Sequence, residues 1–275
     1  MFKNCGRQLA FLFAITAVAV AAMPLISEAQ VYIGPSVTEV RVRPGETGEV
    51  AFEIANHSEQ DMKINVEAAN WLVEYLKREG SRDDVYEWID FGEYSEFTAP
   101  AQKLSTLKCT IAPPKDFQGE RVAQVFFEYE AIEPTAEQAH TAEMLKQRIG
   151  LLLCVSAKGT EKLDAEMEFK DVGMKPLEGG KLDVWASYLV KNKGNIHFKP
   201  RGTARIKRGK EIIAEMDAGV LKGLYTEQEE SYATTFSGLT LSPGKYQMEL
   251  DLKMLSYDLE KRIKKSKKFE IGKSK

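Results

Sequence analysis

The sequence predicts an all-β protein, two tandem antiparallel β-sandwiches behind an export signal. Three observations carry this. Short runs alternating apolar and polar residues recur from residue 31 onward, broken every ~8–12 residues by turn-forming residues, the spacing of short strands packed face to face. Helical periodicity is scarce. The pattern halts at Ala157-Lys158-Gly159-Thr160 and restarts, in a chain of 275 residues that fits two domains.

The first 29 residues read as a signal peptide. Lys3 and Arg7 precede an almost unbroken apolar run over residues 9–26, and Ser27-Glu28-Ala29 supplies small residues at −3 and −1. A run of this length also suits an uncleaved membrane anchor; Pro24 and the small-residue exit favour cleavage after Ala29. Cys5 precedes the run, so it is no lipid attachment site. The predicted compartment is periplasmic or extracellular, with no integral membrane span after cleavage.

In the first half, Val50, Phe52 and Ile54 alternate with Glu49, Ala51 and Glu53 before the turn Asn56-His57-Ser58. Met62, Ile64 and Val66 share a parity, as do Leu107, Cys109 and Ile111, and Val125, Phe127 and Tyr129. Each is a half-buried strand. At Asn70-Trp71 the apolar parity passes to Trp71, Val73 and Tyr75, which predicts a bulge. Residues 136–147 are the best helix candidate, rich in Ala, Glu, Met and Leu after Pro134-Thr135. The run 149–155 is apolar on both faces, more than a one-sided strand needs. Its second face must meet the other domain, a covering helix or a partner.

After the break, Leu182, Val184, Ala186, Tyr188 and Val190 alternate up to the turn Asn192-Lys193-Gly194-Asn195. Residues 48–58 and 180–194 thus both read glycine, strand, asparagine turn, and Pro44-Gly45 and Pro243-Gly244 are matching turns that open strands. The expected division is 1–29 signal peptide, 31–158 first sandwich and 160–272 second. Residues 261–275 hold eight basic residues and one acid, Glu270, with Ile263, Phe269 and Ile271 on one parity. That reads as an edge strand whose lysines discourage edge-to-edge pairing, or as a contact for an anionic surface.

Composition excludes several classes. With a net charge of −3 and 43% apolar residues, the chain is neither disordered nor a basic nucleic-acid binder. No G-x-S-x-G, H-E-x-x-H, C-x-x-C or phosphate-binding glycine loop occurs. His57, His140 and His197 lie far apart in turns or loops, without Cys or carboxylate at ligand spacing. Asp83, Asp84, Glu87 and Asp90 lack the order of a calcium loop. No catalytic residue, metal site or cofactor is expected. An oxidising compartment permits a Cys109–Cys154 disulfide; two buried thiols are the alternative.

Several pieces in order resemble the periplasmic immunoglobulin-like proteins typified by PapD-like pilus chaperones. They are Val42-Arg43-Pro44-Gly45-Glu46, Asn70-Trp71, Trp88-Ile89 with Phe97 and Pro100, Thr110-Ile111-Ala112-Pro113-Pro114-Lys115, and Gly119 opening residues 122–129. In the second half, Asn192-Lys193-Gly194-Asn195-Ile196-His197 and Pro200-Arg201-Gly202 look like the Asn-x-Gly-Asn-x-His stretch of broader chaperone-like secreted proteins. The resemblance implies two immunoglobulin-like sandwiches without catalysis. It also implies that the last strand of the first sandwich, after a long loop, pairs with an incomplete partner subunit. That places Arg148, Gly150, Leu152 and Cys154 on the partner-binding strand, with Arg148 as one of two basic anchors. The other falls near Val40, with Arg41 beside it facing the opposite way. The expected function is a non-enzymatic chaperone-like protein assisting an exported protein such as a pilus subunit. The alternative is an extracellular structural or wall-binding module.

Overall fold

The structure, a computed structural model, describes residues 31–71, 85–131 and 147–272. The signal segment, residues 136–146 of the expected helix, Val73, Tyr75, Asp83, Asp84 and His140 lie outside the described residues.

Among the described residues, nine strands build the first half. They are β1 (Val31–Gly34), β2 (Val37–Val42), β3 (Gly48–Asn56), β4 (Met62–Asn70), β5 (Ile89–Asp90), β6 (Glu96–Ala99), β7 (Lys103–Ile111), β8 (Glu120–Ala131) and β9 (Gln147–Ala157). Seven build the second: β10 (Ala165–Pro176), β11 (Leu182–Asn192), β12 (Lys199–Arg208), β13 (Glu211–Val220), β14 (Glu229–Leu239), β15 (Gly244–Ser256) and β16 (Leu259–Ile271). Sheets β1-β3-β7-β5 and β2-β9-β8-β4-β6 face one another, as do β10-β11-β14 and β13-β12-β15-β16. The protein is all-β, two sandwiches in tandem. Among the described residues its pairs are antiparallel with one departure, β2 against β9, which run parallel. The departure arises because the opening strand changes sheets at Gly34-Pro35, so that β1 joins β3 while β2 crosses to β9.

Alternation decides the cores. Phe52 and Ile54 of β3, Ile64 of β4, Leu107 and Ile111 of β7, and Val125 and Phe127 of β8 all point inward, fully buried. Phe52 and Phe127 meet edge to face across the two sheets, 5.5 Å between ring centres. That geometry is worth ~0.5–1.5 kcal/mol beyond the area buried. In the second sandwich Val184, Ala186, Tyr188 and Val190 face Met248, Leu250, Leu252 and Met254. The parity change at Asn70-Trp71 marks no bulge: β4 keeps register with β8 through Asn70 opposite Ala123, then ends. The Trp71 amide still donates to the Val122 carbonyl of β8 (3.2 Å), and its ring packs 4.3 Å from that of Tyr225 in the second sandwich.

The two asparagine turns are the same device twice. Asn56, at the end of β3, donates from Nδ2 to the carbonyls of Gln60 (2.8 Å) and Ala99 (2.9 Å) and accepts the Ser58 amide at Oδ1 (3.0 Å). Asn192, at the end of β11, donates to Ile196 (2.9 Å) and Leu224 (3.2 Å) and accepts the Gly194 amide (2.8 Å). Both side chains are buried. A short amide that bonds its own backbone two residues on supplies the turn, and its spare donors satisfy carbonyls no strand can reach.

β16 is the outer strand of its sheet, with Ile263, Phe269 and Ile271 turned toward the core. Several of its basic groups answer acids of the same domain: Lys261 with Asp164, Arg262 with Asp251, Lys264 with Glu249. Much of its charge is thereby compensated within the fold.

Candidate functional site

β9 has two halves that differ in what covers them. β8 pairs with it from Gln147 through Ser156, but β2 pairs only from Leu152 to Ala157. The outer edge of residues 147–151 therefore faces no strand among the described residues. The side toward which each main chain points follows from strand geometry, in which N–H and C=O groups of alternate residues point to opposite edges. The Leu152 amide donates to Ser36 and the Lys158 amide to Val42, on the β2 side, whereas the Ala157 amide donates to Gly119 beside β8. Even-numbered residues thus address the outer edge, and Arg148 and Gly150 present their N–H and C=O groups to the open part of it.

Side chains follow the same parity. Ile149, Leu151, Leu153 and Val155 enter the first core. Arg148, Gly150, Leu152 and Cys154 lie on the opposite face, which passes from exposed to buried along the strand. Arg148 is exposed, ion-paired with Glu67 and stacked 3.8 Å over the Phe126 ring. Gly150 is exposed and Leu152 half-buried. Cys154 is completely buried, turned toward the second sandwich beside Glu120 and His197. Its place on an exposed partner-binding face is corrected accordingly, because the second sandwich closes over it. The Cys109–Cys154 disulfide is likewise corrected. Cys109 points into the first core while Cys154 leaves the opposite face of its sheet, and both are free thiols. Burial pushes the Cys109 thiol up to about 12. Cys154 is raised too, by burial first and then by the nearby Glu120 and Glu39 carboxylates.

The paired basic anchor does not form. Arg41 donates to Glu161 (2.6 Å) and Asp258 (2.6 Å) and lies over the Tyr257 ring, tying β2 to the linker and to the β15–β16 turn. It stands opposite Ser156, eight residues along β9 from Arg148 and so ~26 Å away at ~3.3 Å per residue.

The joint between the sandwiches is built by the Asn192-Lys193-Gly194-Asn195-Ile196-His197 stretch. Asn195 accepts the Lys162 amide at Oδ1 (2.6 Å) and donates to the Thr160 carbonyl (3.0 Å), zipping the loop to the linker. Its carbonyl accepts the Glu120 amide (2.8 Å). Gly119 has φ +71°, and a Cβ there would lie 2.7 Å from the Asn195 oxygen, so only glycine allows this approach.

Glu120 and His197 form the centre of the joint. Glu120 Oε1 accepts the His197 main-chain amide (3.0 Å), and Oε2 bonds His197 Nδ1 (2.6 Å) and the Tyr257 hydroxyl (2.7 Å). The other ring nitrogen, Nε2, meets Glu39 Oε1 at 3.1 Å. Burial works against the imidazolium, yet the hydrogen bonds to Glu120 and Glu39 outweigh it and raise His197 to about 9. Glu39 is lowered, chiefly by its bond to His197. Chain spacing gives no sign of this cluster, which joins Glu120, Cys154 and His197, each buried, with donor atoms within 4.8 Å of one another. His197, read as a turn or loop residue without a Cys or carboxylate at ligand spacing, thus finds both across the joint. Folding brings together residues 77 positions apart. The one available signal was parity, which turned Cys154 away from the core.

These features define a two-domain β-sandwich protein with an open strand edge next to a polar joint. No family model matches the chain, and no curated protein matches it. Among solved structures it is similar to the class 5 fimbriae chaperone CfaA, at 13% identity and TM-score 0.45, covering 86% of this chain and 98% of that one. It is also similar to the CsuC–CsuE chaperone–tip adhesion subunit pre-assembly complex of the archaic chaperone-usher Csu pili of Acinetobacter baumannii (13% identity, TM-score 0.42, 86% and 98% covered). The E. coli chaperone DraB matches at 14% identity and TM-score 0.39, with 88% and 98% covered. The chain is thus similar to the pilus chaperones its motifs resemble. At these identities and TM-scores the likeness carries no functional argument by itself.

Proposed function

We propose that this protein is a non-enzymatic, exported, chaperone-like binder that captures an extended segment of another exported protein by adding it as a strand to the open half of β9. The supporting observation is the outward N–H and C=O groups of Arg148 and Gly150 at an edge that β2 leaves uncovered. Four main-chain bonds at roughly 1 kcal/mol each contribute ~4 kcal/mol, and side chains along the edge add specificity. The compartment of such a partner is the periplasm or cell exterior, and the pilin-like class is the one the motif resemblance suggests.

Proline replacement separates main-chain pairing from side-chain contact. Arg148→Pro deletes an outward N–H that β8 does not use, so the fold is kept. Arg148→Ala deletes only the charge and the stack on Phe126. Co-purification of the full chain with exported proteins should show capture lost in Arg148→Pro and retained in Arg148→Ala. Equal capture by both variants would refute strand addition at this edge.

A further inference from the structure

We propose that Glu120, Cys154 and His197 form a binding site for a thiophilic divalent cation, with zinc the best match, placed so that the ion pins the two sandwiches together. The donor set is one thiol, one imidazole and one carboxylate, all buried, all within 4.8 Å of one another. Zinc binds these three groups at about 2.0–2.3 Å, and a tetrahedral arrangement sets such donors roughly 3.4–3.6 Å apart. His197 Nδ1 and Glu120 Oε2, now 2.6 Å apart, therefore open slightly, and the more distant donors close by about 1 Å. Side-chain torsions supply movements of that size.

What surrounds the trio matches an outer shell. Metal-bound imidazoles characteristically donate their second nitrogen to a carboxylate, which fixes the tautomer and the ring plane. Glu39 Oε1 stands 3.1 Å from Nε2 and already holds His197 in that way, leaving Nδ1 on the side of Glu120. Tyr257 donates to Glu120 Oε2 at 2.7 Å and orients the carboxylate. Entry of the ion balances simply. The Cys154 thiol and His197 Nδ1 each release a proton to solvent, one dication enters, and the net charge of the pocket is unchanged. Hard cations such as calcium and magnesium seek all-oxygen shells and are disfavoured by a sulfur ligand. The ligands come from β8 and β9 of the first sandwich and the loop before β12 of the second, so occupancy acts on the joint itself.

Cobalt(II) is the probe, because its thiolate complexes absorb by sulfur-to-metal charge transfer. Full-length exported chain, stripped with a chelator, should bind one equivalent of cobalt with a charge-transfer band in the near ultraviolet. Zinc should displace the cobalt and raise the thermal midpoint. Cys154→Ser and Cys154→Ala should each lose the band and the zinc-dependent rise, with unchanged far-ultraviolet circular dichroism in the metal-free form. Cys109→Ser should keep both. Glu39→Gln should keep the band but bind about 10–100-fold more weakly. A chain that shows no charge-transfer band, a band that survives both Cys154 replacements, or an equal zinc-dependent rise in parent and Cys154 variants would overturn the assignment.

Discussion

Replacing the two strand-end asparagines by alanine should destabilise the two sandwiches one each, the first by the larger amount. Asn56→Ala removes the donors to Gln60 and Ala99 and the acceptor for both the Ser58 amide and the Ser58 hydroxyl. Asn192→Ala removes the donors to Ile196 and Leu224 and the acceptor for the Gly194 amide. At roughly 1 kcal/mol net per bond, Asn56→Ala costs ~4 kcal/mol and Asn192→Ala ~3 kcal/mol, with more where the abandoned carbonyl stays out of reach of water. For a sandwich of this size the smaller cost is a fall of ~10 °C in thermal midpoint. Aspartate is worse than alanine at neutral pH, because its carboxylate oxygen replaces the amide nitrogen opposite two carbonyl oxygens. Urea unfolding read by tryptophan fluorescence distinguishes the halves, since Trp71 and Trp88 lie in the first and Trp185 in the second. Hydrogen exchange then localises the loosened strands. If Asn56→Asp proves as stable as the parent, or if Asn192→Ala loosens the first sandwich rather than the second, the paired-device reading is wrong.

Two further outcomes follow from the same structure. Leu153→Glu should unfold the first sandwich by burying an unpaired charge at a fully enclosed position, whereas Leu152→Glu, on the opposite face and half-exposed, should shift the midpoint by a few degrees only while abolishing partner capture; thermal scans beside co-purification check this. The second sandwich should also lose stability in acid. Asp251 is held below its usual range, first by Arg262 against the cost of burial and then by Arg205, and Glu249 is lowered by Lys207 and Lys264 despite its burial. Groups lowered in the folded state stabilise it above their unfolded values and lose that contribution as pH falls through the folded ones. The loss therefore begins near pH 4 and deepens below it, and denaturant midpoints for residues 165–271 measured from pH 7 to pH 2 should show it.

Much of the fold was legible because sandwich strands carry their own burial code. Val50, Phe52 and Ile54 announce an inward face by period alone, and so does the Leu182–Val190 alternation. The parity of residues 149–155 likewise puts Leu151 and Leu153 on one face and Leu152 and Cys154 on the other. What could not be read is whatever depends on which strand lies beside which. That β2 runs parallel to β9 and stops at Leu152 is a consequence of the sheet change at Gly34-Pro35, and it alone decides where the edge is open. The Glu120–His197 contact joins the start of β8 to a loop of the other sandwich, and neither local pattern nor ligand spacing encodes it. The Asn70-Trp71 signal misled for a related reason: Trp71 packs on Tyr225 of the other sandwich, so its parity answered a surface outside its own sheet.

The open edge and the joint are two ends of one strand, and this has a mechanical consequence. Along β9 the even-numbered main chain meets no strand among the described residues at Arg148 and Gly150, then is bound by β2 from Leu152 onward. On the even-numbered face Arg148 and Gly150 are exposed, whereas Cys154 and Ser156 are buried. The strand is therefore clamped on three sides over its second half and presented from a fixed base over its first. A pairing edge held extended loses little conformational freedom when a partner strand arrives, so more of each main-chain bond appears as affinity. Arg41, Glu120, Glu39 and His197 never touch that partner, yet they set how firmly the edge is held. Loosening them should weaken capture while leaving every group on the open edge in place.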